Sequence, residues 1–150
     1  MSDFITLPCK FDKHLIETRI RCREIAYLRK WRDGNGVDGT SCALYLRSGK
    51  NPIRVLVHFQ GLSETLPGVI LFSMCKRGSQ DKEPILINPE SIRYYRRFVD
   101  NESTEHKYII FLEPKNNIFL KEGDKISAAD GFDEVRFIVS EDPAQKITEY

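Results

Sequence analysis

Histidine and cysteine are scarce and scattered in this chain, and that shortage removes several classes of chemistry at once. The 150 residues hold three histidines, His14, His58 and His106, and four cysteines, Cys9, Cys22, Cys42 and Cys75. Consecutive cysteines stand 13, 20 and 33 positions apart, so none forms the C-x-x-C pair of a zinc knuckle or a thioredoxin-type site. Three of them, Cys22, Cys42 and Cys75, sit in apolar alternation and read as small buried hydrophobes. No metal and no cofactor is expected.

Long apolar runs are also missing. None approaches the ~18 residues of a spanning helix, and residues 1–13 have neither the basic start nor the apolar stretch of a secretory signal. The expectation is a soluble chain without a membrane partner, cytoplasmic or assembled into a virion. Charge of one sign is lacking too: 23 Lys and Arg face 22 Asp and Glu, and the hydrophobic content of 41% is that of an ordinary globular chain. Wholesale disorder is excluded. A chain of this length buries roughly two-thirds of the surface its unfolded form exposes, which predicts one domain over 1–150.

The near-neutral total hides a gradient. Residues 1–60 carry 11 basic against 6 acidic side chains, and residues 101–150 carry 6 against 11. Such a dipolar chain can attract a copy of itself, or an anionic partner through its first half, unless folding interleaves the two ends.

Seven prolines and nine glycines punctuate the chain, falling almost entirely between short apolar runs. The runs are 4–7, 41–47, 53–59, 69–75, 85–87, 92–99, 107–112, 118–121, 125–127 and 134–139. Segments of about four to eight residues, rich in Ile, Val, Tyr and Phe, predict an all-β sandwich or barrel. Within 53–59, Ile53, Val55, Val57 and Phe59 share one face, the period of a half-buried strand. Runs 69–72 and 108–112 are apolar on both faces, which suits central strands or strands covered by a neighbouring subunit. Val55, Val57, Val69, Leu71, Ile109, Phe111 and Ile138 are the predicted core. Tight turns are expected over 113–117, 121–124 and 130–133.

Residues 14–32 carry two periods. Ile16, Thr18, Ile20 and Cys22 alternate with Glu17, Arg19, Arg21 and Arg23 as in a strand, while Ile16, Ile20, Tyr27 and Trp31 could share a helical stripe. Strand is the better fit, with a bulge or bend near Glu24 before a second strand to Trp31. A short N-terminal helix within 12–30 stays as the alternative.

Gly34-Asn35-Gly36-Val37-Asp38-Gly39 satisfies the letters of a dinucleotide-binding G-x-G-x-x-G, but a strand rather than a helix should follow it. It reads as a glycine-rich turn. The same loop approaches a calcium-binding pattern, except that Val37 and Leu44 stand where oxygen ligands are needed. Carboxylate pairs such as Asp130 with Asp133 fall in a polar turn, and no serine sits in a G-x-S-x-G elbow. A nucleophile would have to be Cys42 or Cys75 served by one of the scattered histidines, so no catalytic residues are assigned. Asn101-Glu102-Ser103 has the letters of a glycosylation acceptor.

One constellation remains. Arg19, Arg21, Arg23, Arg29 and Trp31, with Tyr94, Arg96 and Arg97, interleave guanidinium groups and aromatic rings. Guanidinium pairs with phosphate and aromatic faces stack on unpaired bases, yet alternating arginines also solvate the outer face of a strand or blunt an edge. These residues are the candidate nucleic-acid or partner contacts. Residues 118–126 resemble the late hairpins of several jelly-roll families, over nine positions of common turn chemistry.

The sequence therefore predicts an antiparallel β-sandwich or jelly roll of about eight to ten strands. Its expected function is that of a non-catalytic structural or interaction module. Such a module would associate with itself or with another structural protein, as a small virion or phage subunit that decorates a capsid or builds a tail. A β-barrel binding single-stranded nucleic acid is the alternative reading, and a cysteine-dependent hydrolase the third.

Overall fold

A computed structural model describes residues 3–34, 36–48, 51–75, 81–98, 107–113 and 135–149. Among the described residues ten strands join in one antiparallel sheet: β1 (Phe4–Phe11), β2 (His14–Arg21), β3 (Ile25–Asp33), β4 (Gly36–Leu46), β5 (Ile53–Val55), β6 (Ile70–Cys75), β7 (Lys82–Ile87), β8 (Ile92–Phe98), β9 (Lys107–Leu112) and β10 (Arg136–Val139). Two short helices accompany them, α1 (Phe59–Thr65) and α2 (Pro143–Glu149). The spatial order is β2-β1-β5-β4-β3-β7-β6-β10-β9-β8, so β2 and β8 are the edges among the described residues. The all-β antiparallel class expected from the punctuation is what the chain forms.

Strand parity explains the core. Leu86 of β7 packs with Leu7, Cys9, Leu28, Cys42, Val55 and the α1 residues Phe59 and Leu62, whereas Ile85 and Ile87 pack with Tyr27, Phe72, Ile110, Phe137 and Val139. Successive side chains of a strand point to opposite faces. The central strands β3 and β7 are therefore buried on both faces, one face under α1 and the β1–β5 half, the other against β6, β9 and β10. Cys9, Val55 and Cys42 form a fully buried row directly across β1, β5 and β4.

Several boundaries differ from the sequence expectation. The first strand does not stop at Pro8 but runs to Phe11. Pro8 is tolerated because its main-chain groups aim at β5, where its carbonyl accepts from Leu56 N–H (2.8 Å) beyond the end of the β5 ladder. The better-fitting reading of 14–32 is what forms, and the alternative N-terminal helix is absent: 14–21 and 25–33 are strands, and the bend expected near Glu24 is the 3-10 turn Cys22–Glu24. The expected strand over 53–59 ends at Val55 and gives way to α1, whose Phe59 and Leu62, with Leu66 just past its end, recur at helical spacing and are all buried.

Core phase failed where a run is apolar throughout. In β6 it is Ile70, Phe72 and Met74 that are buried, while Leu71 is 44% exposed. In β10, Phe137 and Val139 are buried and Ile138 only partly so; Val57 and Val69 are half-buried as well. Val55, Ile109 and Phe111 are buried as expected. The runs 118–121 and 125–127, Asn101, most of 113–117 and the turns at 121–124 and 130–133 lie outside the described residues. So does the 118–126 hairpin that resembles jelly-roll families.

Candidate interaction surface

The sheet order distributes the basic and aromatic candidates over three places. Arg19 and Arg21 lie on edge strand β2 with Arg23 in the turn after it, Arg29 and Trp31 lie on central β3, and Tyr94, Arg96 and Arg97 lie on the opposite edge, β8. Each place has its own chemistry.

On β3 the cations are already engaged. Arg29 Nη2 and Arg32 Nη2 both donate to Glu83 Oε2, a carboxylate carried into the interior by β7 and only 6% exposed. Burial alone would raise the Glu83 pKa, but the Arg32 hydrogen bond and the two guanidinium charges outweigh it and hold the carboxyl below its ordinary value. Trp31 lies under the Arg54 guanidinium, 4.9 Å from its ring centroid. Arg54 in turn donates to Asp38 Oδ2 (2.9 Å) and Ser41 Oγ (3.2 Å).

Asp38 closes a wide bulge. Lys30 pairs with Cys42 but Trp31 pairs with Asp38, so residues 39–41 are extra to the β3–β4 ladder. The Asp38 carboxylate accepts from Thr40 N–H (2.9 Å), Thr40 Oγ1 (2.6 Å) and Ser41 Oγ (3.2 Å), and with Arg54 these bonds lower its pKa to about 2. In the loop that approached a calcium pattern, Asp38 is thus engaged by Thr40, Ser41 and Arg54 of the same chain. Beside it, Arg29, Trp31, Arg32, Tyr45 and Pro52 line a shallow cleft of about 100 Å³.

On β8 the aromatic candidate covers its neighbour. Tyr94 stacks on Phe111 of β9 with centroids 4.4 Å apart, and Arg96 lies over the same ring at 5.6 Å. On the outer face of 108–112, which could have called for a neighbouring subunit, the Phe111 ring is covered by Tyr94 and Arg96 of the adjacent strand. Tyr94, Tyr95, Arg96 and Arg97 are all exposed.

On β2 two apolar residues stand exposed among polar ones, while Ile20 is buried. Leu15 is 69% and Ile16 47% exposed, next to Phe11 at the end of the β1–β2 hairpin. Arg19 and Arg21 lie over the Phe4 ring at 5.2 and 4.6 Å. Glu17, between them and Leu15, is exposed.

Of the three thiols expected in the core only Cys42 is buried there; Cys22 and Cys75 are partly buried, and Cys9 takes the second core position because β1 runs on past Pro8. Cys42 is fully buried, donates to the Val57 carbonyl (3.2 Å) and is pushed up to about 12 by burial; Cys9 donates to the Leu7 carbonyl and is likewise raised by burial. Among the described residues no group of three or more His, Cys, Asp and Glu is placed to hold a metal ion, and no helix is long and apolar enough to cross a membrane.

Sequence reasoning missed three anchoring groups. Arg47 donates through Nε and Nη2 to both carboxylate oxygens of Glu113 (3.0 and 2.7 Å) and through Nη1 to the Arg23 carbonyl. Glu83 is a lone acid entering an apolar run, and Arg54 a lone cation within one, which was the available signal. Two C-terminal acids are engaged within the chain: Glu141 accepts from Ser73 N–H (2.8 Å) and Asp142 from Ala144 N–H (3.0 Å). Comparison with family models, with curated proteins and with solved structures finds no match to this chain.

Proposed function

We propose that this protein is a non-catalytic structural module that acts by associating with itself, the most specific form of the reading being a small virion or phage subunit of a capsid surface or tail. The observation that supports it is the β2 edge. An eight-residue strand there ends the sheet among the described residues and carries Leu15 and Ile16 in the open, where unpaired main-chain groups and exposed apolar side chains favour another strand. Of the two candidate nucleophiles, Cys42 is buried and held above its ordinary pKa, which argues against the cysteine-hydrolase reading at that position. Mass in solution tests the proposal: light scattering at rising concentration and low salt should show more than one chain per particle, and a strictly monomeric mass would overturn it.

A second reading, binding of single-stranded nucleic acid, is favoured by one feature, the exposed Tyr95, Arg96 and Arg97 of β8. Against it, Glu83 holds Arg29 and Arg54 covers Trp31. Submicromolar oligonucleotide binding at physiological salt, with a slope of about −0.7 in log K against log salt per contacted phosphate, would favour this reading.

A further inference from the structure

The β2 edge offers more than exposure, because its hydrogen-bonding parity and its charges together select one way of pairing. Pro8 accepts from Leu56 N–H, so its main-chain groups face β5 and turn away from β2. Pro8 opposite Glu17 is therefore a non-hydrogen-bonded pair of the β1–β2 ladder, and by alternation Leu7 with Thr18 and Cys9 with Ile16 are the hydrogen-bonded ones. The Cys22 N–H bond to the Asp3 carbonyl obeys the same parity. It follows that Leu15, Glu17, Arg19 and Arg21 turn their main-chain N–H and C=O groups outward from the sheet.

A second strand must meet those outward groups with outward groups of its own. For two copies of β2 related by a two-fold axis and running antiparallel, this leaves three registers of useful length, centred on Glu17, Thr18 or Arg19. Centring on Glu17 sets Glu17 against Glu17; centring on Arg19 sets Glu17 opposite Arg21 twice but places Arg19 directly against Arg19 between them, so each carries a like-charge pair at its centre. Centring on Thr18 sets Glu17 opposite Arg19 of the second copy, twice by symmetry. On the other face it sets Ile16 opposite Ile20 of the second copy, covering an exposed side chain. The opposite edge is a poor substitute: β8 contains Arg93, Arg96 and Arg97 and no acid, so docking it on β2 would line arginine against arginine.

We infer that β2 is a homodimer seam in which two copies pair antiparallel about Thr18, with reciprocal Glu17 and Arg19 contacts. This rests on the self-association reading and gives it a surface and a register. The four outward residues of each strand would exchange about eight main-chain hydrogen bonds. A two-fold seam also closes on itself, which leaves β8 outside it.

The test uses the full chain and two independent readouts. Glu17→Arg and Arg19→Glu should each weaken the dimer about tenfold or more, since each converts two opposite-charge contacts into like-charge ones. The double variant restores complementarity and should return the dissociation constant to near the wild-type value, all three keeping the wild-type circular dichroism. In the second readout, Thr18→Cys is made together with Cys9→Ala to remove the nearest native thiol. Residue 18 stands opposite itself at about 4.5 Å between Cα atoms, within disulfide range. Mild oxidation should then yield a covalent dimer that peptide mapping assigns to 18–18, and Leu15→Cys, far from its own copy in this register, should not. A dimer indifferent to both charge reversals and lacking the 18–18 link would overturn the seam while leaving self-association standing. A monomer at every concentration would overturn both.

Discussion

Replacing Glu83 by Gln probes whether Arg29 is a structural cation or one free to meet a partner. The substitution keeps the shape and removes the charge that Arg29 and Arg32 share. Breaking a buried pair by removing one partner costs about 3 to 5 kcal/mol, whereas exposed pairs are worth about 0 to 1. Here the carboxylate side is buried, but the Arg29 and Arg32 side chains are 26% and 43% exposed, so solvent screens part of the loss. An intermediate cost of about 2 to 3 kcal/mol is expected, which for this size lowers the melting temperature by roughly 5 to 10 °C.

The pH dependence has a definite sign. Glu83 has a folded pKa below the 4.5 of a free glutamate, so its contribution is fully present above that value and is lost as pH falls through the lower folded one. Wild type and Glu83→Gln should differ most near neutrality and converge in acid. Scanning calorimetry from pH 7 down to about 3 measures the gap directly. Equal melting temperatures at pH 7, or a gap unchanged in acid, would refute the clamp and return Arg29 to the list of available phosphate contacts.

Phe72→Ala should cost about 3 to 5 kcal/mol and Leu71→Ala less than about 0.5, because adjacent positions of β6 face the core and the solvent; equal effects in denaturant titrations would contradict the strand phase. Asn88 is buried, donates to the Ile25 carbonyl (2.8 Å) and accepts from Glu90 N–H (3.0 Å), so Asn88→Ala should lose about 2 kcal/mol, and an unchanged unfolding midpoint would show those bonds to be dispensable. Cys9 and Cys42 should resist a thiol reagent at pH 7.5 until the chain unfolds; rapid native-state labelling of either would contradict their burial.

Local chemistry carried the class of this protein and most of its strands. Period-two alternation across 16–23 is written in the side chains themselves, and so is the punctuation around 69–75, 92–99 and 107–112. The edge role of the arginines at 19 and 21 was also readable as an alternative, since a solvated strand face has that pattern. Where both faces are apolar, alternation carries no phase, and the choice between Leu71 and Phe72 belonged to the packing of β9 and β10 against β6 and β7. Helix α1 was open to sequence reading through Phe59, Leu62 and Leu66, but the β-like run before it masked the change of period. α2 carried its own start signal in Asp142-Pro143, an N-cap acid followed by Pro at the first helical position.

The partners of Arg29, Arg47 and Arg54 lie 54, 66 and 16 positions away, in Glu83, Glu113 and Asp38. Such distances along the chain are set by strand order, which no local pattern encodes. A sequence shows that a cation exists and what it can bind; only the sheet decides whether an acid of the same chain reaches it first. The same holds for β2: its charges are legible in the sequence, and it is the fold that leaves them on an edge with their main-chain groups turned outward.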